Sequence, residues 1–171
     1  MNAEVTNTNG NVVIDSIAGG NSADIVTMNN TNVNNRQYVG SGADIVSVLN
    51  ADVKNTNGSV TLDSESTCNQ VEISTDPHNV NVNSAQDCNA TDPYAQLNAS
   101  VTNTVGNVTL FNSATGNSFE EDTNAPNSNI KNIQTNNSME YSNINATVAN
   151  TTGNIAITSL AVGNTAEIIH Y

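Results

Sequence analysis

The chain has 171 residues, 34 of them asparagine, with 16 acidic and 3 basic side chains and a formal charge of −13. Three cations cannot replace the counterions of a nucleic-acid backbone, and apolar runs of a few residues fall short of the roughly 18 that a membrane-spanning helix needs. Tryptophan is absent and aromatics make up 4%, so an ordinary globular enzyme is disfavoured and disorder becomes the reading to beat.

A repeat beats it. NAEVTNTNGNVVIDS begins at Asn2, NADVKNTNGSVTLDS at Asn50, NASVTNTVGNVTLFNS at Asn98 and NATVANTTGNIAITS at Asn145, spaced by 48, 48 and 47 residues. The chain reads as one repeat domain over 1-171, with units 2-49, 50-97, 98-144 and a half unit 145-171. Along it, Val5, Val12 and Ile14, then Ala23 and Ile25, Val60 and Leu62, and Val108 and Leu110 alternate with polar neighbours. Such segments, rich in Val, Ile and Thr and bounded by Asn, Gly and Ser, predict short strands. Helical spacing is sustained nowhere. The expected fold is all-β, a single β-solenoid (β-helix) whose turns of chain stack on one another.

A finer motif recurs at Gly20, Gly40, Cys68, Cys88, Gly116, Asn136 and Gly163, at steps of 20, 28, 20, 28, 20 and 27 residues. It predicts about seven turns, two per 48-residue unit, of about 20 and 28 residues. Three columns follow from stacking those turns. The first is a structural amide ladder of Asn21, Asn69, Asn89, Asn117, Asn137 and Asn164, with Ser41 as its one exception; stacked amides donate to one neighbour and accept from the other. The second is a Gly-rich corner that holds Cys68 and Cys88, the only cysteines, on consecutive turns. Neighbouring turns lie within disulfide range, so a Cys68–Cys88 bond is expected, with two buried thiols as the alternative. A disulfide implies an oxidising compartment, hence secretion or the cell surface.

The third column is acidic: Asp24, Asp44, Glu72, Asp92, Glu120, Glu140 and Glu167. Alternation points it to solvent. Like charges so close repel, so the column reads either as a solvated acidic stripe or as a site for calcium, a hard cation that takes carboxylate oxygens. GGNSADIV, from Gly19, approaches the calcium-binding nonapeptide but has Ser22 in place of its third glycine. No catalytic constellation assembles: His78 and His170 have no evident partners and read as surface positions, and the chain is expected not to be an enzyme. Thr6 with Thr8 and Thr102 with Thr104 raise an ice-binding reading, weakened by Lys54 and Ala149 at the equivalent positions. The opening MNAEVTNTNG lacks the basic and apolar regions of a secretory signal and suggests a mature or excised segment. The lack of capping repeats suggests further chain or end-to-end association.

AGGNSADI, ATGNSF and AVGNTAEI, set among Thr/Asn-rich strands, resemble repeats of the holdfast-attachment proteins of stalked bacteria. They are more loosely similar to secreted bacterial β-solenoid adhesins and curli-like fibre subunits. The resemblance implies a bacterial outer-surface anchor or adhesive fibre that binds extracellular polysaccharide or other surface proteins, or forms a homo-polymer. It departs from that family in its richness in Asn and in its two cysteines, and it carries over no functional residue.

Overall fold

The computed structural model describes residues 1–28, 30–75 and 79–170; His78 lies outside them. These residues form eleven strands: β1 (Asn2–Thr6), β2 (Val12–Thr27), β3 (Thr31–Val39), β4 (Asp44–Asn57), β5 (Val60–Thr75), β6 (Val80–Cys88), β7 (Thr91–Val105), β8 (Val108–Thr123), β9 (Ser128–Asn136), β10 (Tyr141–Thr151) and β11 (Ile155–His170). They build three parallel sheets in the orders β1-β4-β7-β10, β2-β5-β8-β11 and β3-β6-β9. The fold is the β-solenoid expected from the repeat.

The stacking step is the whole unit. Asn2 pairs with Asn50, Asn50 with Asn98 and Asn98 with Asn145. In the long-strand sheet, Val12 pairs with Val60, Val60 with Val108 and Val108 with Ile155. One coil is therefore a full 48-residue unit, and the expected seven turns of 20 and 28 residues are corrected to about three and a half coils. The two related motifs in each unit sit on opposite sides of the same coil. Gly20 lies within β2, whereas Gly40 lies in the turn between β3 and β4.

Each coil is flattened into two layers. The 16-residue strands β2, β5, β8 and β11 make one layer. The two shorter-stranded sheets lie side by side as the other. Val60, Leu62, Val108 and Leu110 in the first half of the long strands pack on Leu49, Val53, Leu97 and Val101. Val71, Ile73 and Phe119 in the second half pack on Val33, Val80 and Val82. Burying one such aliphatic side chain contributes roughly 1.5–3 kcal/mol, so repetition substitutes for the missing large aromatics.

Two columns make the sharp turn before each long strand. Asn7, Asn55, Asn103 and Asn150 all have φ of 56°, a left-handed conformation that Asn tolerates better than most residues. A few residues later come Gly10, Gly58, Gly106 and Gly153, stacked so closely that a Cβ on Gly153 would lie 2.1 Å from the Gly106 carbonyl oxygen. Only glycine lets the coils approach there.

Candidate functional site

The interior is held across its width by amides and one covalent bond. Asn21 Nδ2 donates to Asn69 Oδ1 at 2.8 Å, Asn69 to Asn117 at 2.7 Å and Asn117 to Asn164 at 2.7 Å. Asn21 and Asn117 also donate to the Tyr38 and Thr135 carbonyls of the opposite layer. That layer answers with Gln37, Gln86 and Gln134, stacked at 2.9 and 3.0 Å and donating back to the Gln70, Ser118 and Thr165 carbonyls. Four of the six asparagines expected in one ladder, Asn21, Asn69, Asn117 and Asn164, thus form it. Asn89 and Asn137 belong to the connections after β6 and β9, where their backbone N–H groups donate to the Val39 and Cys88 carbonyls.

Cys68 and Cys88 are bonded, with Cα atoms 5.9 Å apart and both side chains fully buried. The bond is the one expected, but its geometry is different. Cys68 sits at the middle of β5, and Cys88 ends β6 in the column Val39–Cys88–Asn136. The two cysteines share a coil and join its two layers across the interior, among Val39, Ile45 and Ala90.

The acidic column divides in the same way. Asp24, Glu72, Glu120 and Glu167 are in register and exposed on the outer face of the long-strand sheet. Asp44 opens β4 opposite Thr91, at a register shift. Asp92 Oδ1 accepts from the Met139 N–H, and Glu140 Oε1 accepts from Asn136 Nδ2. Burial pushes the Glu140 carboxyl above its usual range, against the pull of the Asn136 bond. So one predicted line of seven carboxylates is an in-register line of four with three others on the opposite layer. Among the described residues no three His, Cys, Asp or Glu side chains converge as a metal site would require. The paired threonines divide too: Thr56 and Thr104 are buried, and only the Thr6–Lys54–Thr102–Ala149 column remains outside.

Two carboxyls escaped the sequence reading. Glu121 is fully buried beside Phe119 in the column Ile25–Ile73–Glu121–Ile168, and among the described residues neither of its oxygens has a hydrogen-bond partner. Burial raises its pKa to about 7. Asp63 is raised to about 6 by burial first, then by Glu65 and Asp15. Alignment on the 48-residue step exposes Glu121 as the one acid in an apolar column. The two-turn alignment had hidden it.

The outer face of β1, β4, β7 and β10 carries a groove of about 570 Å³. One wall is the column Asn2–Asn50–Asn98–Asn145, in which Asn50 and Asn98 each donate to the amide before them at 2.7 Å. The other wall is Glu4–Asp52–Ser100–Thr147. Ala51 and Ala99 between the walls turn their methyl groups into the core, so the floor is strand backbone. Lys54 pairs with Asp52 and holds its carboxyl below the usual range. Each wall presents hydroxyl, amide or carboxylate groups at strand spacing, about 4.8 Å apart. Such a surface can hydrogen-bond an extended polar chain laid along the solenoid axis. Compared with protein-family models, curated proteins and solved structures, the chain matches none.

Proposed function

We propose that the chain is a non-enzymatic, extracellular structural or adhesive repeat protein: a cell-surface anchor, adhesin or fibre subunit that meets polysaccharide or other surface proteins. The outer groove carries this reading, because its two polar walls are fixed by the strand ladder before any ligand arrives. A pre-formed site avoids the ordering cost that weakens binding by flexible loops. The Cys68–Cys88 bond supports an oxidising location. Retention on immobilised cellulose, chitin, alginate and dextran tests it, with Asn50→Leu/Asn98→Leu as the control. The expected result is retention of the wild type on at least one polymer and loss in the variant; no retention on any polymer overturns the groove's role.

A further inference from the structure

The two outermost strands of the long-strand sheet are β2 and β11, and their outward faces differ from those between them. One column runs Ile17–Glu65–Ser113–Leu160, another Val26–Ser74–Asp122–Ile169 and a third Val13–Thr61–Thr109–Ala156. In each, the apolar members lie at the two ends and the polar members between. Ile17 is 74% exposed, Val13 63%, Val26 62% and Leu160 45%. Solvent gives no reason to place Ile and Leu there, and large exposed apolar groups in register mark a contact surface.

We propose that the two ends of the solenoid join copies of this chain head to tail, with β2 of one copy pairing in parallel with β11 of the next and β1 with β10. Extending the observed ladder by one step sets Ile17 over Leu160, Val26 over Ile169 and Val13 over Ala156. The same step continues the interior columns, Val12 over Ile155, Ile14 over Ile157 and Ile25 over Ile168. It covers Ile155, Ile157 and Ile168, which are 48%, 54% and 52% exposed on faces that are buried one coil further in.

The amide ladders have the matching polarity. Asn21 begins its ladder as a donor and Asn164 ends it as an acceptor, so the Asn164 amide N–H meets the Asn21 Oδ1 of the next copy. In the turn column the direction is reversed, Asn55 donating to Asn7 and Asn150 to Asn103, and here the next copy's Asn7 donates to Asn150 Oδ1. Both matches require opposite ends to meet. Two like ends would set donor against donor in one column and acceptor against acceptor in the other. Such a contact is heterologous and extends into a rod. Asp24 falls over Glu167 at the joint, which makes association favour higher salt.

The inference deepens the structural reading above and rests on it, but the two fail separately, since a monomer that still binds polysaccharide overturns the joint alone. Sedimentation velocity and electron microscopy of the 171-residue chain are compared with Ile17→Lys/Val26→Lys and Leu160→Lys/Ile169→Lys, circular dichroism confirming that each variant folds. Wild type is expected to form rods that lengthen with concentration and salt. Each variant alone is expected to sediment as a monomer, because self-association needs both of its ends. Mixed in equal amounts, the two variants each keep one intact end and are expected to form one-to-one dimers and nothing larger. A wild type that stays monomeric at every concentration overturns the proposal. So does association untouched by either variant, abolished by only one of them, or not restored as dimers in the mixture.

Discussion

Asn69 donates its amide to Asn117 at 2.7 Å, and both side chains are fully buried. Neither could be placed in an apolar core alone, because a buried amide without a partner costs about 1–3 kcal/mol. Asn69→Leu removes the donor to Asn117 and the acceptor of Asn21 together. The unfolding free energy is expected to fall by about 1–3 kcal/mol for the acceptor left open, more if leucine overpacks the corner. Urea titration checks the size, and an unchanged midpoint contradicts the ladder's structural role.

Glu121 sets the pH dependence. Its folded pKa is raised from 4.5 to about 7. Between those values the folded chain holds a proton that the unfolded chain has released, so stability falls as pH rises through this window. Below it the carboxyl is neutral in both states and the penalty vanishes; above it the penalty is constant, on the order of 3 kcal/mol. Glu121→Ile, matching Ile73 beneath it, is expected to raise the melting temperature at pH 8 far more than at pH 4. Equal shifts at both values would assign the gain to packing instead.

The disulfide closes a short loop within one coil. Cys68→Ala/Cys88→Ala is expected to keep the strand signal in circular dichroism while losing about 3 kcal/mol, the entropy of a loop of this size. Thermal melts of wild type with and without reductant should show the same difference, and the double variant should be indifferent to reductant.

Left-handed backbone at Asn55 and Asn103 separates two contributions. Substitution by alanine loses both the tolerated conformation and the stacked amide, at about 1–2 kcal/mol for the backbone alone. Substitution by glycine loses only the amide. Denaturant midpoints are expected in the order Asn, Gly, Ala, and an alanine variant as stable as the glycine variant would contradict the strain argument.

The exposed column Asp24–Glu72–Glu120–Glu167 repels itself at low ionic strength. Sodium chloride is expected to raise the melting temperature, and Glu120→Gln to reduce that rise. A salt response identical in the two proteins would place the repulsion elsewhere.

The sequence announces its period openly, because the turn residues are fixed by backbone geometry and so recur at Asn7, Asn55, Asn103 and Asn150. The finer motif misleads for a physical reason. Gly20-Asn21 and Gly40-Ser41 both introduce an Ala-Asp-Ile segment, since both start an inward-facing alternation, yet one lies in a strand and the other in a turn. Local pattern records which side chains face inward and says little about which layer they face from. The cysteine pair was legible because both cysteines hold the same position in the finer motif, although they face each other across one coil and not on stacked turns. The groove was not, because its walls are outward columns of ordinary polar residues that only the stacking of the coils brings together.

Tension applied along the solenoid axis would peel its end coils one at a time, each release paying out a coil of slack. The Cys68–Cys88 bond makes the middle coil different. The segment it closes spans 20 residues, so about 65–70 Å of contour cannot be drawn out until the sulfurs part. A pulled molecule would lengthen in steps of a full coil and give one shorter step from its centre. Oxidised, the protein behaves as a tether with a built-in stop; reduced, it becomes a spring of uniform length.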